Sequence, residues 1–85
     1  MPRLLAFGVR RIDADARSVY LADVRRRQAA AAAAGAHFWV FEHDSKSGRF
    51  VEFMEAASEA ALRDFMAGAG YEGASLALWR EVQGG

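Results

Sequence analysis

The sequence predicts an α+β fold of one domain, residues 1–85, with elements in the order β-α-β-β-α-β. Two kinds of pattern lead to this prediction. Four short segments alternate like strands, and two longer segments carry apolar residues at helical spacing. The length favours a single domain, because two domains within 85 residues would each be too small to bury a core.

The first strand is predicted over residues 4–12, LLAFGVRRI, in which large side chains alternate between two faces. It ends before Asp13 and Asp15, either of which can cap a helix by accepting from a free backbone N–H. Residues 16–34 contain no Gly or Pro and carry apolar side chains at helical spacing, until Gly35 offers a left-handed stop. They predict a long first helix.

A hairpin is predicted in the middle of the chain. Residues 36–44, AHFWVFEHD, form its first strand, and residues 49–56, RFVEFMEA, form its second. The connection DSKSG is polar and carries Gly near its end, as a short hairpin loop requires. The two strands are therefore expected to pair antiparallel.

The second helix and the last strand complete the order. Ser58 is placed to cap a helix whose apolar stripe lies within residues 62–69. Gly68 and Gly70 predict its end. Residues 74–82, ASLALWREV, alternate in character and predict the final strand.

This order is that of the ferredoxin-like plait, in which two right-handed crossovers place both helices on one face of a four-stranded antiparallel sheet, strand order 4-1-3-2. The other face lacks a cover and should be polar if it meets water. Every predicted strand nevertheless puts apolar side chains on both faces, as Phe38 and Trp39 do in the second. We therefore expect a second copy to cover the open face about a two-fold axis, giving a homodimer.

The second strand lies at an edge of the sheet in this order, where exposed aromatic side chains are a liability. A dimer rim or a cavity accommodates histidines better than a helix-covered core does. We therefore expect one alternate set of side chains to face the neighbouring molecule: His37, Trp39, Phe41 and His43.

Part of the chain resembles the dimeric α/β-barrel superfamily, which includes the antibiotic-biosynthesis monooxygenase-like proteins. The segment GRFVEFMEAASEAALRDFM, residues 48–66, is similar to their third strand and second helix. The resemblance implies a barrel formed by two open sheets, with an active site inside it or between the sheet and its helices. Met54, Ala56 and Phe65 stand about where the family has an acidic residue, a Trp and a His, so the resemblance favours the fold more than an inherited reaction.

Composition limits the classes of function. Lys+Arg 11 against Asp+Glu 11 gives a formal net charge of +0, so neither nucleic acid nor a membrane is predicted as a partner. The absence of Cys excludes disulfides, thiolate metal sites and thiol nucleophiles. The apolar run LLAFGV is too short for a signal sequence or a membrane span, which favours a mature, soluble, cytoplasmic protein. The excess of Arg and Ala is typical of a GC-rich bacterial genome.

The two histidines are candidate catalytic residues. Either His37 or His43 could act as a general base, although a solvated or hydrogen-bonded His at a strand end is the simpler interpretation. Six residues apart on one strand, they lie about 20 Å apart at ~3.3 Å per residue, so they cannot ligate one metal. Ser45 and Ser47 lie in a loop without an orienting base. No metal site and no cofactor are predicted.

Aromatic side chains are candidates for a ligand pocket. The set that could line a pocket for a small, flat hydrophobic ligand is Trp39, Phe41, Phe53 and Trp79. Arg10, Arg11 or Arg80 could meet a carboxylate on such a ligand. The simpler interpretation is that these aromatic side chains form the core of the dimer.

Two features near the first helix are interpreted as structural. Arg25 to Arg27 are predicted to be a solvated helix surface, because successive helical residues point about 100° apart and cannot form one basic stripe. Tyr20 is expected to pack on the sheet with its hydroxyl at the rim.

Two classes of function follow. The first is a homodimeric binding or accessory protein whose barrel holds a small hydrophobic ligand or is filled by apolar groups. The second, implied by the resemblance, is a cofactor-independent monooxygenase-like enzyme acting on an aromatic or polyketide-like substrate. The first is favoured, because the sequence contains no visible acid/base pair, metal set or activated nucleophile. A different chain with the same plait is an alternative partner to a second copy.

Overall fold

The computed structural model describes residues 3–70 and 76–83, and its elements follow the predicted order. A short 3-10 turn, Ala14–Ala16, precedes the first helix. The elements are β1 (Leu4–Arg11), α1 (Arg17–Ala33), β2 (Ala36–Glu42), β3 (Arg49–Ala56), α2 (Glu59–Gly68) and β4 (Trp79–Arg80).

The four strands form one antiparallel sheet with β3 and β1 at its centre. β1 pairs with β3 along its whole length, with Phe7 opposite Phe53. β2 pairs with the other edge of β3, where Trp39 lies opposite Phe53. β4 pairs with the free edge of β1, where Trp79 lies opposite Leu5. The order β2-β3-β1-β4 is the predicted 4-1-3-2 read from the opposite edge, so the predicted plait is confirmed.

Both helices cover the same face of the sheet. Alternation along the strands turns every second side chain toward them, and these side chains form a single buried cluster with the inner sides of α1 and α2. Neither helix in the described part of the chain is both long and apolar enough to cross a bilayer. The cluster comprises Ala6, Ala36, Phe38, Phe50, Met54 and Ala56 from the sheet, Tyr20, Val24 and Ala31 from α1, and Leu62, Phe65, Met66 and Ala69 at α2 and its end.

Most of the predicted helix and loop signals are confirmed. Gly35 has φ 73° directly after α1, and Ser58 Oγ accepts a hydrogen bond from the backbone N–H of Ala61 at 3.2 Å. Gly48 has φ +84°, and a Cβ there would lie 2.6 Å from the carbonyl oxygen of Ile12. Only glycine therefore fits where the hairpin passes the end of β1.

Two predicted boundaries are wrong. Neither Asp13 nor Asp15 caps α1, because the 3-10 turn intervenes and the residue before Arg17 is an alanine without a capping side chain. The last strand was predicted over residues 74–82, but β4 covers Trp79–Arg80; residues 74 and 75 lie outside the described residues. This outer strand meets only the start of β1, which limits the length of its ladder.

Candidate functional site

The side of the sheet that the helices leave uncovered, here called the open face, is aromatic at its centre. Trp39, Phe53 and Phe7 lie side by side across β2, β3 and β1. Phe7, Trp39, Phe41 and Trp79 are between 40% and 58% exposed. The set His37, Trp39 and Phe41 lies away from the helices, as predicted. That a neighbouring molecule covers this set stays a prediction.

The rings of the open face contact one another. Phe53 lies between two of them, with its centroid 5.8 Å from that of Phe7 and 5.7 Å from that of Phe41. Trp79 stacks on Phe7 at 6.1 Å. Such offset and edge-to-face pairs favour fixed ring positions, so the aromatic surface is preorganised rather than collapsed.

A groove of about 490 Å³ lies on this face, within the range of sites that hold small organic ligands. All four aromatic residues predicted to bind a ligand line it, whereas Arg11 does not. The lining residues are Arg3, Leu4, Leu5, Trp39, Phe41, Phe53, Glu55, Trp79, Arg80 and Glu81.

One end of the groove is charged but largely neutralised. The Arg3 guanidinium lies 2.5 Å from Glu55 Oε1, and the Arg3 backbone N–H donates to Glu81 Oε1 at 3.3 Å. The hydrogen bond to Glu55 contributes most to raising the pKa of Arg3 above its ordinary value. Within the described residues, Arg80 has no ion-pair partner. This end therefore offers a ligand a mixture of both charges.

The predicted catalytic candidates are not brought together. His37 is exposed, stacks on Trp39 with ring centroids 5.4 Å apart, and has Glu55 as its cross-strand neighbour. His43 lies past the end of β2, where its Nδ1 accepts from the Ser45 backbone N–H at 3.2 Å. Among residues 3–70 and 76–83, no three His, Asp or Glu side chains are grouped as metal ligands would be.

A buried charged cluster lies under α1, on the face of the sheet opposite the groove. Arg27 Nη1 and Nη2 donate to Glu52 Oε1 and Oε2 at 3.1 and 3.0 Å, and the two residues are 1% and 0% exposed. Tyr20 Oη donates to Glu52 Oε2 at 2.5 Å, and Arg10 Nε to Oε1 at 3.1 Å. Arg27 Nε lies 2.9 Å from Asp23 Oδ2, without hydrogen-bond alignment.

The cluster shifts the protonation equilibria of its members. Burial raises the pKa of Tyr20, and the hydrogen bond to Glu52 raises it further. Burial acts to lower the pKa of Arg27, but hydrogen bonding and attraction to Glu52 outweigh it and the pKa is raised. The hydroxyl and the guanidinium are therefore both held in their protonated forms.

This cluster corrects two predictions. Arg27 is not part of a solvated helix surface, and the Tyr20 hydroxyl is not at the rim. Helical spacing could have indicated that Tyr20 and Arg27 are buried, because residues 20, 24, 27 and 31 form one buried stripe of α1. Strand alternation could have indicated that Glu52 is buried too, because it lies between Phe50 and Met54 on the covered face.

A second ion pair fixes the hairpin to α1. Arg17 donates through Nη1 and Nη2 to Glu42 Oε2 and Oε1 at 2.6 and 2.8 Å. The Gly48 backbone N–H donates to Glu42 Oε2 at 3.0 Å. The Arg17 hydrogen bonds, followed by that from Gly48, lower the pKa of Glu42 to about 2. Glu42 thus joins the start of α1 to the loop before β3.

No protein-family model matches the chain, and no curated protein matches it either. In structure the chain is similar to a conserved protein of unknown function from Bacteroides thetaiotaomicron, with a TM-score of 0.67 and 17% sequence identity. The similarity covers 94% of this chain and 96% of that chain. At this identity the comparison shows the fold alone. The resemblance to the dimeric α/β-barrel superfamily stays a prediction.

Proposed function

We propose that this protein is a homodimeric binding protein of the bacterial cytoplasm, whose paired open faces hold a small, flat hydrophobic ligand. The observation that carries this proposal is the groove of about 490 Å³ between the side chains of Trp39, Phe41, Phe53 and Trp79. Large rings with limited freedom give a planar ligand extensive contact at low entropic cost.

The exposed apolar surface supports the dimer. Phe7, Val9, Trp39, Phe41 and Trp79 together leave on the order of 500 Å² of apolar surface exposed, taking about 150–250 Å² for each aromatic side chain. A patch of this size is among the largest that a typical soluble monomer exposes and such patches are often functional, and it would supply more than half of the about 800 Å² that a standard interface takes from each partner. A second copy packed on this face would bury these rings and enclose the groove between two sheets.

A second candidate is an enzyme that uses the same groove. The structurally similar protein from Bacteroides thetaiotaomicron is described as a possible oxidoreductase. The corresponding activity here would be cofactor-independent oxidation of an aromatic or polyketide-like substrate by dioxygen, with His37 as the general base. His37 does not line the groove, although it stacks on Trp39, which does. Binding without chemistry is therefore the proposal that the geometry favours.

Titration with a neutral aromatic alcohol, naphthalenemethanol, tests ligand binding, because Trp39 and Trp79 in the groove report on it by fluorescence. We expect saturable quenching that Phe41→Ala weakens several-fold. Val19→Ala, on the exposed surface of α1, is the matched control and should leave binding unchanged. An unsaturable signal in the wild-type protein would reject the binding site. Dioxygen consumption with aromatic phenols, lost in His37→Gln, would favour the enzyme instead.

A further inference from the structure

A row of three basic side chains crosses the open face at its hairpin end. Arg11 and Arg49 are direct cross-strand partners on β1 and β3. The His43 backbone N–H donates to the Arg49 carbonyl oxygen at 2.8 Å, so β2 pairing continues past Glu42 opposite Phe50 and places His43 beside Arg49. Sheet alternation puts all three on the same face as Phe41. All three are exposed.

The two arginines of this row lack the partners that most arginines of this protein have. Like charges directly opposite each other on neighbouring strands destabilise a sheet. Within the described residues, no carboxylate lies within ion-pair distance of Arg11 or Arg49. Carboxylate partners are present at Arg3, Arg10, Arg17, Arg26, Arg27 and Arg63.

His43 adds a ring N–H donor to the row. Its Nδ1 accepts from the Ser45 backbone N–H at 3.2 Å, so the neutral ring carries its hydrogen on Nε2. Asp44 Oδ1 lies 3.7 Å from the same Nδ1, beyond hydrogen-bond distance. The row therefore offers hydrogen-bond donors from two guanidinium groups and one imidazole, and these are the groups that bind a carboxylate.

We propose that this row binds the carboxylate of an aromatic acid whose ring lies on Phe41, so that the ligand is an organic anion. The inference rests on the proposed binding function. Phe41 lines the groove and precedes His43 by two residues, a separation of about 7 Å that a fused aromatic ring with one carboxylate can span. The other end of the groove is a weaker anchor for an anion, because the carboxylates of Glu55 and Glu81 line it together with Arg3 and Arg80.

The test compares naphthoate with the neutral naphthalenemethanol, both titrated by tryptophan fluorescence and calorimetry. We expect the wild-type protein to bind naphthoate roughly tenfold more tightly, the gain of about one charge-assisted hydrogen bond at a screened surface. The double variant Arg11→Gln/Arg49→Gln should lose this preference and keep the affinity for the neutral alcohol. Arg25→Gln, exposed on α1, should keep the preference.

The outcomes separate this inference from the binding function on which it rests. Equal affinity for both probes in the wild-type protein, or a preference that survives the double variant, overturns the anion site and leaves the groove intact. Binding of neither probe overturns the binding function and the anion site together. The double variant could instead change the monomer–dimer equilibrium in sedimentation and keep the preference for naphthoate. That result would show that the row contacts the second copy rather than a ligand, and it also overturns the inference.

Discussion

Arg27 and Glu52 form a bidentate ion pair that is almost completely removed from solvent, between α1 and the inner strand β3. Two charges in such a place require a close partner, because each alone would carry a large desolvation penalty. Here Tyr20 and Arg10 supply further hydrogen bonds to the same carboxylate. The pair therefore ties the orientation of α1 to the register of the sheet.

Removing one member of this pair should destabilise the fold strongly. We expect Arg27→Met to lower the free energy of unfolding by about 3 kcal/mol, because it leaves the Glu52 carboxylate buried beside fewer donors. Urea denaturation monitored by circular dichroism measures this. Arg25→Met, two residues earlier on α1 and exposed, should change stability by no more than about 0.5 kcal/mol. Similar losses in both variants would contradict a specific role for the pair.

Acid should weaken the junction between α1 and the hairpin. The pKa of Glu42 is lowered from 4.5 to about 2, chiefly by Arg17, so its stabilising effect is complete above pH 4.5 and is lost as the pH falls toward about 2. Glu42→Gln should therefore reduce the dependence of unfolding free energy on pH in this window. Arg17→Gln, which removes the main cause of the lowered pKa, should reduce this dependence as well. An unchanged slope in Glu42→Gln would contradict the assignment.

A charge at the centre of the open face should separate the proposed dimer. Trp39→Asp places a carboxylate among the rings that would be shared by two copies, and we expect a monomer in sedimentation velocity at micromolar concentration. Its melting temperature should change little beyond the loss of the dimer, since Trp39 is 44% exposed in the single chain. Val19→Asp, on the surface of α1, should leave the mass unchanged. A wild-type protein that is itself monomeric would refute the dimer directly.

Two glycines allow a matched test of the hairpin junction. Gly35 and Gly48 both have positive φ, but only at Gly48 would a Cβ meet another atom, the Ile12 carbonyl oxygen at 2.6 Å. We expect Gly35→Ala to cost about 1 kcal/mol from backbone conformation alone, and Gly48→Ala to cost at least 1–2 kcal/mol more. Equal unfolding free energies for the two variants would show that the chain relaxes around the contact.

The sequence was sufficient to predict the order of elements, because strand alternation, helical spacing, the helix stop at Gly35 and the hairpin-loop glycine Gly48 agree with one another. The aromatic members of the groove were also predictable, since Trp39 and Phe53 lie in segments whose side chains alternate between the two faces of a strand. The burial of Arg27 was not predicted, because three successive arginines suggest a solvated surface. It becomes visible only when each arginine is compared separately with the buried positions of the helix. The row from His43 to Arg11 depends on the register of two strand pairs, which sequence patterns do not determine.

Glu52 and Phe53 are adjacent on β3 and serve opposite sides of the sheet. A slip of β3 by one residue would exchange them, placing a carboxylate among the rings and a phenyl group against the guanidinium of Arg27. Both halves of that exchange are unfavourable, so we expect a misaligned β3 to be disfavoured relative to the observed register. The buried charges and the exposed rings together therefore specify a single alignment of β3.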